Sequence, residues 1–310
     1  MLLPDFLCAI PELRPAVLPP ERAVMLCMTS KAMRAAVRTP RGAAARVSAC
    51  MQAAGHLFRQ HELAHALAGL GAWCDVTELS LRTCSLTEQG AAELAAWLSG
   101  NNTLLALNLR SNRVQYSGAS ALADAVRQTS TLRSINLCDN AVGSLGARAL
   151  AETLRANTTL RSLNLKQNYV LGYGAEALAE ALRANTTLQE LNLSDNLLEY
   201  AEVRALADAL RANTALRSLN LSNNSIQDAG ARALAEALRD NSALRSLKLN
   251  HNDIGEDGAR ALAAALRVNS TLQQLDLRGC CFDPLHDLQD DLRHAWCSGA
   301  RPRDPAKLRV

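Results

Sequence analysis

A segment of the form L-x-x-L-x-L-x-x-N returns every 28 residues along most of this chain, with no insertion or deletion between copies. Its fullest copy is Leu188, Leu191, Leu193, Asn196 and Leu198. Others begin at Leu104, Leu132, Leu160, Leu216, Leu244 and Leu272, and a first copy begins at Val76, making eight. A strict period of this length requires one small unit stacked on its own copies, because a single unit cannot bury its apolar face alone. Length therefore does not fix the number of domains as it would for a globular chain. Such an array offers a long binding surface, and no catalytic residues are expected in it.

Inside each copy the L-x-L step alternates with period two, as a strand with one buried face does. A short turn follows the Asn, and then a helix such as Gly174–Arg183. In that helix Ala175, Leu178, Ala179 and Leu182 fall at i, i+3, i+4 and i+7 and form one apolar stripe. The opposite face sets acid against base three residues on, in Glu152 with Arg155, Glu180 with Arg183, Asp208 with Arg211 and Glu236 with Arg239. Asn112, Asn140, Asn168, Asn196, Asn224 and Asn252 end their strands where the backbone turns inward. A stacked amide offers that buried backbone both a donor and an acceptor, so these asparagines are structural.

Parallel strands stack about 4.8 Å apart, whereas packed helices need about 8–10 Å. The mismatch predicts a stack curving by about 20° per repeat, with the strands lining the hollow. The repeats resemble leucine-rich repeats of the ribonuclease-inhibitor-like class, shared with NOD-like receptor sensor arrays and Ran GTPase-activating proteins. The resemblance covers residues 74–297. It implies an α/β fold, a leucine-rich repeat solenoid of the right-handed horseshoe kind, that binds proteins. In this setting the last repeat, with its charged helix His286–Trp296, reads as a cap, and residues 298–310 as a disordered basic tail.

Apolar residues make up 48% of the chain and aromatic ones only 3%, so Leu and Ala must build the core. The net charge of +3 is uneven: residues 1–60 carry eight Lys/Arg against three acids, while the repeats are near −5. No continuous basic face results, which argues against nucleic acid as a main ligand. The nine Cys show neither disulfide nor zinc spacing, and Cys84 and Cys280 occupy the Asn position of their repeats, where Cys is an accepted alternative. No metal or cofactor is expected. The opening MLLPDFLCAIPEL lacks a basic segment followed by an apolar core, and no apolar run approaches membrane-spanning length. The expected setting is the cytoplasm or nucleus, without membrane attachment and as a monomer. The sequons at Asn101, Asn157 and Asn192 read as accidents of repeat composition.

Recognition should fall on open positions that vary. On the hollow face Asn108, Asn136, Asn164, Asn192 and Asn220 are uniform, and Lys248 and Asp276 then break the pattern. Two residues on, the series Arg110, Cys138, Lys166, Ser194, Ser222, Asn250, Arg278 is the candidate partner-binding face. All four tyrosines, Tyr116, Tyr169, Tyr173 and Tyr200, fall in strand-to-helix turns and form a candidate rim site. Beside them Glu202 replaces the helix-start glycine found at residues 90, 118, 146, 174, 230 and 258.

Residues 1–42 do not fit the repeat, and residues 43–73 read as capping helices for the first copy. Leu3-Pro4-Asp5, with Leu7 and Ile10 as a first apolar face, resembles the opening of an F-box, the helical module that attaches substrate receptors to cullin–RING ubiquitin ligases. Leu18-Pro19-Pro20-Glu21 matches the break before its second helix. Val24 and Leu26 match its core, and Met28, Ser30 and Lys31 its closing element. The Leu3-to-Leu18 distance is about three residues longer than usual, and Met33 stands where the family has Trp or Phe. The resemblance implies a Skp-type adaptor bound through Leu3, Pro4, Leu7, Ile10, Leu18, Pro19, Leu26 and Lys31.

His61-Glu62-Leu63-Ala64-His65 has the H-E-x-x-H spacing that presents two zinc-binding imidazoles one turn apart. No third ligand follows at metzincin spacing, and a structural array begins at once, so the segment reads as a cap helix. A Ran-type GTPase activator is expected to carry an enlarged loop and an acidic tail, whereas every repeat here is 28 residues and the tail is basic. The reading is a non-enzymatic protein-interaction scaffold: a substrate receptor of a cullin–RING ligase, with a stand-alone scaffold or NOD-like-receptor-type sensor array as the alternative.

Overall fold

The computed structural model describes residues 77–281, 287–298 and 304–310. The F-box-like segment 1–42, the capping segment 43–73 and the His61–His65 motif lie outside the described residues. The chain divides into two compact units, residues 1–140 and 141–310.

In the described part of the first unit, β1 (Glu78–Ser80), α1 (Glu88–Ser99), β2 (Ala106–Asn108), α2 (Gln115–Gln128) and β3 (Ser134–Asn136) alternate. The strands are parallel and in strict 28-residue register, with Leu79 opposite Leu107 and Leu107 opposite Ile135. The second unit continues the alternation with α3 (Gly143–Ala156), β4 (Ser162–Asn164), α4 (Tyr173–Ala184), β5 (Glu190–Asn192) and α5 (Tyr200–Ala212). β6 (Ser218–Asn220), α6 (Gln227–Asp240), β7 (Ser246–Lys248), α7 (Glu256–Val268), β8 (Gln274–Asp276) and α8 (Asp287–Ser298) follow. Strands β4 to β8 pair in parallel, each with the next, and stack Leu163, Leu191, Leu219, Leu247 and Leu275 in one buried column. This is the α/β repeat solenoid that the period predicts.

Each helix buries the stripe read from sequence: Ala175, Leu178, Ala179 and Leu182 are all buried. Burying a Leu side chain is worth about 1.5–3 kcal/mol. The stack of Leu and Ala therefore supplies most of the drive to fold, and the small Ala lets neighbouring helices approach. Gly174 marks one such close approach, since a Cβ there would lie 2.7 Å from the Cα of Ser144.

The inward-turning asparagines behave as expected. Asn196 Oδ1 accepts the backbone N–H groups of Asn168 and Val170, each at 3.0 Å, and its Nδ2 donates to Leu165 O at 2.9 Å. Cys280 takes the same place: its Sγ donates to Leu249 O at 3.4 Å, the carbonyl 31 residues back that the amide reaches in other repeats. The residue before each of these positions has a positive φ, from 53° at Asn223 to 66° at Gly279. A left-handed residue is what folds the strand end inward.

A second ladder, which the sequence reading did not separate from chance sequons, closes the helix-to-strand side. Asn157, Asn185, Asn213, Asn241 and Asn269 are buried C-caps of α3 to α7. Asn213 Oδ1 accepts from Ala215 N at 3.0 Å and Leu216 N at 2.7 Å, and its Nδ2 donates to Leu182 O at 2.6 Å and Asn185 O at 2.9 Å. The side chain of Asn157 is thus committed to the interior.

Two expectations are corrected. Of the four acid–base pairs placed three residues apart, Asp208–Arg211 forms at 3.8 Å, but Arg155 reaches Glu180 at 2.5 Å and Arg211 reaches Glu236 at 3.0 Å, across to the next repeat. Stacked helices set these partners as close as the next turn does, and a long guanidinium can choose either. The tail is not disordered over residues 304–310. Pro305–Lys307 form a short 3₁₀ turn, and β9 (Leu308–Arg309) pairs in parallel with β8. β8 would otherwise leave its outer backbone groups unpaired. Trp296, fully buried, anchors the approach by donating from Nε1 to Asp304 O at 2.9 Å.

Candidate protein-binding surface

The open face of the strands is largely self-satisfied. In the second unit the mid-strand asparagines cap their own strand ends: Oδ1 of Asn164, Asn192 and Asn220 each accepts at 3.0 Å from the backbone N–H two residues on. Asn108 and Asn136 do the same in the first unit. Their uniformity is therefore local turn chemistry rather than a recognition code.

The series two residues further on is uneven. Arg110 and Arg278 are exposed, and Lys166 and Asn250 are half-buried, while Cys138, Ser194 and Ser222 are buried. Ser194 Oγ donates to Asn192 Oδ1 at 2.9 Å and Ser222 Oγ to Asn220 Oδ1 at 2.7 Å, so these two hydroxyls serve the turn. Lys166 is tied to Asp195 at 3.1 Å. Only four of the seven candidate side chains reach solvent.

The turns between strand and helix present a different surface. All four tyrosines are 41–59% exposed. Tyr116, at the start of α2, is the one large exposed apolar side chain among the described residues of its unit, whereas Tyr169, Tyr173 and Tyr200 share the second unit with exposed Leu145, Leu171 and Leu197. These three leucines were missed by reading tyrosines alone; their signal is that Leu171 and Leu197 share repeats with Tyr169, Tyr173 and Tyr200, and Leu145 holds the position of Tyr173 in the repeat just before them.

Tyr169 and Leu197 hold the same place in consecutive repeats, one residue after the inner Asn, with φ of 57° and 56°. Left-handed backbone costs a side chain with a Cβ about 1–2 kcal/mol, and the equivalent residue Asp253 belongs to a type that tolerates it better. Two large apolar side chains are thus held outward on strained backbone, with no burial in return. The turn carrying Tyr169 and Tyr173 is latched from the preceding repeat, where Ser144 Oγ donates to Leu171 O at 2.7 Å and accepts from Leu171 N at 3.2 Å. Glu202, in place of the usual glycine, accepts from Glu199 N at 3.0 Å and fixes the start of α5 beside Tyr200.

Other features are chemically quiet. A groove of about 420 Å³ beside Tyr200 is lined by Arg204, Asp208, Arg211, Arg232 and Glu236, whose opposite charges largely pair. At the β8 edge Asp276 is buried and gripped by Arg278, Nε to Oδ1 at 3.0 Å and Nη2 to Oδ2 at 2.8 Å, with Arg309 Nη1 at 3.9 Å. Burial opposes its charge, but the Arg278 hydrogen bonds and the charges of Arg278 and Arg309 outweigh that and hold its carboxyl below the usual range. Burial pushes the Cys84 and Cys280 thiols up to about 11, which leaves neither as a nucleophile near neutral pH. Among the described residues no three His, Cys, Asp or Glu are grouped to hold a metal, and no helix is long and apolar enough to cross a membrane.

A leucine-rich repeat family model matches residues 100–123, 129–151, 156–179 and 184–201. The chain carries leucine-rich repeats. A model of the TMOD/LMOD leucine-rich domain matches residues 196–279. Two solved structures are similar to it. Leiomodin-1 actin-binding site 2 is 23% identical over 48% of this chain and 86% of its own, with a TM-score of 0.44. The tropomodulin C-terminal domain from Caenorhabditis elegans is 16% identical over 48% of this chain and 90% of its own, with a TM-score of 0.43. A search of curated proteins returns no match. The leucine-rich repeat assignment rests on the repeat models together with the stacked strands and asparagine ladders, and a repeat array of this kind serves as a scaffold for binding other proteins.

Proposed function

We propose that this leucine-rich repeat protein is a non-enzymatic substrate receptor of a cullin–RING ubiquitin ligase. It grips a protein partner at the exposed strand-to-helix turns of residues 141–201 and is tied to a Skp-type adaptor through residues 1–42. The observation that carries the binding half is the strained, outward pair Tyr169 and Leu197 within a strip of exposed Tyr and Leu. Scattered exposed apolar residues are ordinary; a contiguous run of turns carrying them is a mark of interaction sites. Tyr suits such sites because it brings rigid amphipathic area at low entropic cost. The ligase half is supported by the Leu3-Pro4-Asp5 opening and by the order of a helical module before repeats.

The two halves separate in one experiment. The full chain is co-expressed with a Skp-type adaptor beside a Leu3→Asp/Pro4→Ala variant and a deletion of residues 1–42. A one-to-one complex lost in both variants supports the receptor reading. Its absence, or its survival in the deletion, removes the ligase link and leaves a stand-alone scaffold or sensor array that binds through the turns.

A further inference from the structure

The same turns in five consecutive repeats of the second unit, residues 141–145, 169–173, 197–201, 225–229 and 253–257, contain no Lys or Arg. The first two also contain no acid, and they carry Leu145, Tyr169, Leu171 and Tyr173 on the surface. The third adds exposed Leu197 and Tyr200 together with Glu199, and the fourth carries Asp228. The fifth carries Asp253, Glu256 and Asp257, all exposed. One run of turns therefore passes from apolar and aromatic to acidic over consecutive repeats.

The acids are only lightly neutralised by the protein itself. Asp228 Oδ1 accepts the backbone N–H groups of Gly255 and Gly258, each at 2.8 Å, and so caps α7. Asp257 meets Arg232 at 2.6 Å and Glu256 meets Arg260 at 2.8 Å, with every one of these side chains at least half exposed. Exposed pairs of this kind exchange readily, because each is worth little against solvent.

From this charge and polarity order we infer that the partner presents a segment with an apolar or aromatic anchor followed by a Lys/Arg-rich stretch. The anchor packs over Tyr169 and Leu197, and the basic stretch lies along Glu199, Asp253 and Glu256. Arg and Lys also favour the tyrosine faces at the boundary. Three repeat steps at about 5–10 Å each make about 15–30 Å, the reach of about five to nine extended residues, so one short segment can meet both halves. The inference rests on the reading of these turns as the binding surface.

The test pans a phage-displayed library of random 12-residue peptides on the full chain. It then measures synthetic versions of the enriched peptides on two variants: Tyr169→Gly/Leu197→Gly, which should leave the fold intact because glycine suits both backbones, and Glu199→Gln/Asp253→Asn. The expected result is peptides that combine Leu or aromatic residues with Lys/Arg. These should bind the first variant at least about tenfold more weakly and the second about three- to tenfold more weakly. They should also lose affinity as salt rises. Neutral or acidic peptides that still need Tyr169 and Leu197 would overturn the basic-segment inference and leave the surface standing. Peptides that bind both variants as well as the native chain, or no enrichment at all, would overturn the surface and the inference together.

Discussion

The side chain of Asn224 stitches its repeat to the one before: its Oδ1 accepts the backbone N–H of Asn196 and that of Leu198, each at 3.0 Å. Its Nδ2 donates to Leu193 O at 3.1 Å and Leu221 O at 2.8 Å. Asn224→Ala strands these buried backbone groups at about 1–3 kcal/mol for each one left unpaired. We expect a loss of about 3–5 kcal/mol for Asn224→Ala, read from chemical unfolding. The half-buried Asn164, whose Oδ1 caps only Lys166 N, should cost about 0.5–1 kcal/mol on the same change. Equal losses at the two sites would refute the distinction between interior ladder and surface cap.

The Asn196–Asn224 ladder was legible in sequence because it sits at a fixed place in an apolar frame and has one chemical use. The ladder at Asn157, Asn185, Asn213, Asn241 and Asn269 has the same period, but its Asn-x-Ser/Thr spelling at Asn157 imitates a glycan acceptor. Only the carbonyls 28 and 31 residues back, as at Asn213, reveal what these amides do. The burial of Cys138, Ser194 and Ser222 was likewise illegible, since strand alternation places a residue on a face without saying whether a turn then covers it. The ordered strand Leu308–Arg309 hid in a basic, Pro-containing tail because its pairing depends on an open β8 edge rather than on its own composition.

Replacing Tyr169 and Leu197 by glycine removes two side chains from left-handed backbone. Relief of about 1–2 kcal/mol at each site is partly offset by the extra freedom of glycine in the unfolded chain, about 0.4–1 kcal/mol each. The double variant should therefore unfold about 1 kcal/mol later than the native chain while losing its partner. A destabilised double variant in equilibrium unfolding would mean that the two side chains support the fold.

Asp276 gives the end of the array a pH signature. Its folded-state pKa is lowered, so its contribution is complete above the unfolded value of about 3.9 and is lost as pH falls through the lower folded value. The Leu277 N–H that bonds to Arg309 O at 2.6 Å should lose hydrogen-exchange protection on acidification below about pH 4. In Asp276→Asn that protection should already be weak at neutral pH. A native-like, pH-independent Leu277 signal in the variant would show that the arginine grip does not hold β9.

Cys84 and Cys280 have thiols raised to about 11 by burial. A raised folded-state value stabilises the fold below the unfolded pKa of about 8.5, and this stabilisation is lost as pH climbs through about 11. At pH 8 only about one thiol in a thousand is ionised, so iodoacetamide should label exposed Cys297 well before either. Peptide mass mapping against time checks this order. Labelling of Cys280 as fast as Cys297 would show that the last ladder position is open.

The central claim is that a protein partner sits on the strand-to-helix turns of the second unit. A photo-crosslinking amino acid placed at Tyr173, and in a separate chain at exposed Arg183 on the outer face of α4, tests it directly in extract of the source cells. The account predicts a discrete crosslinked species from position 173, lost in the Tyr169→Gly/Leu197→Gly background, and none from position 183. Crosslinking from 183 alone, or from both positions alike, would contradict it.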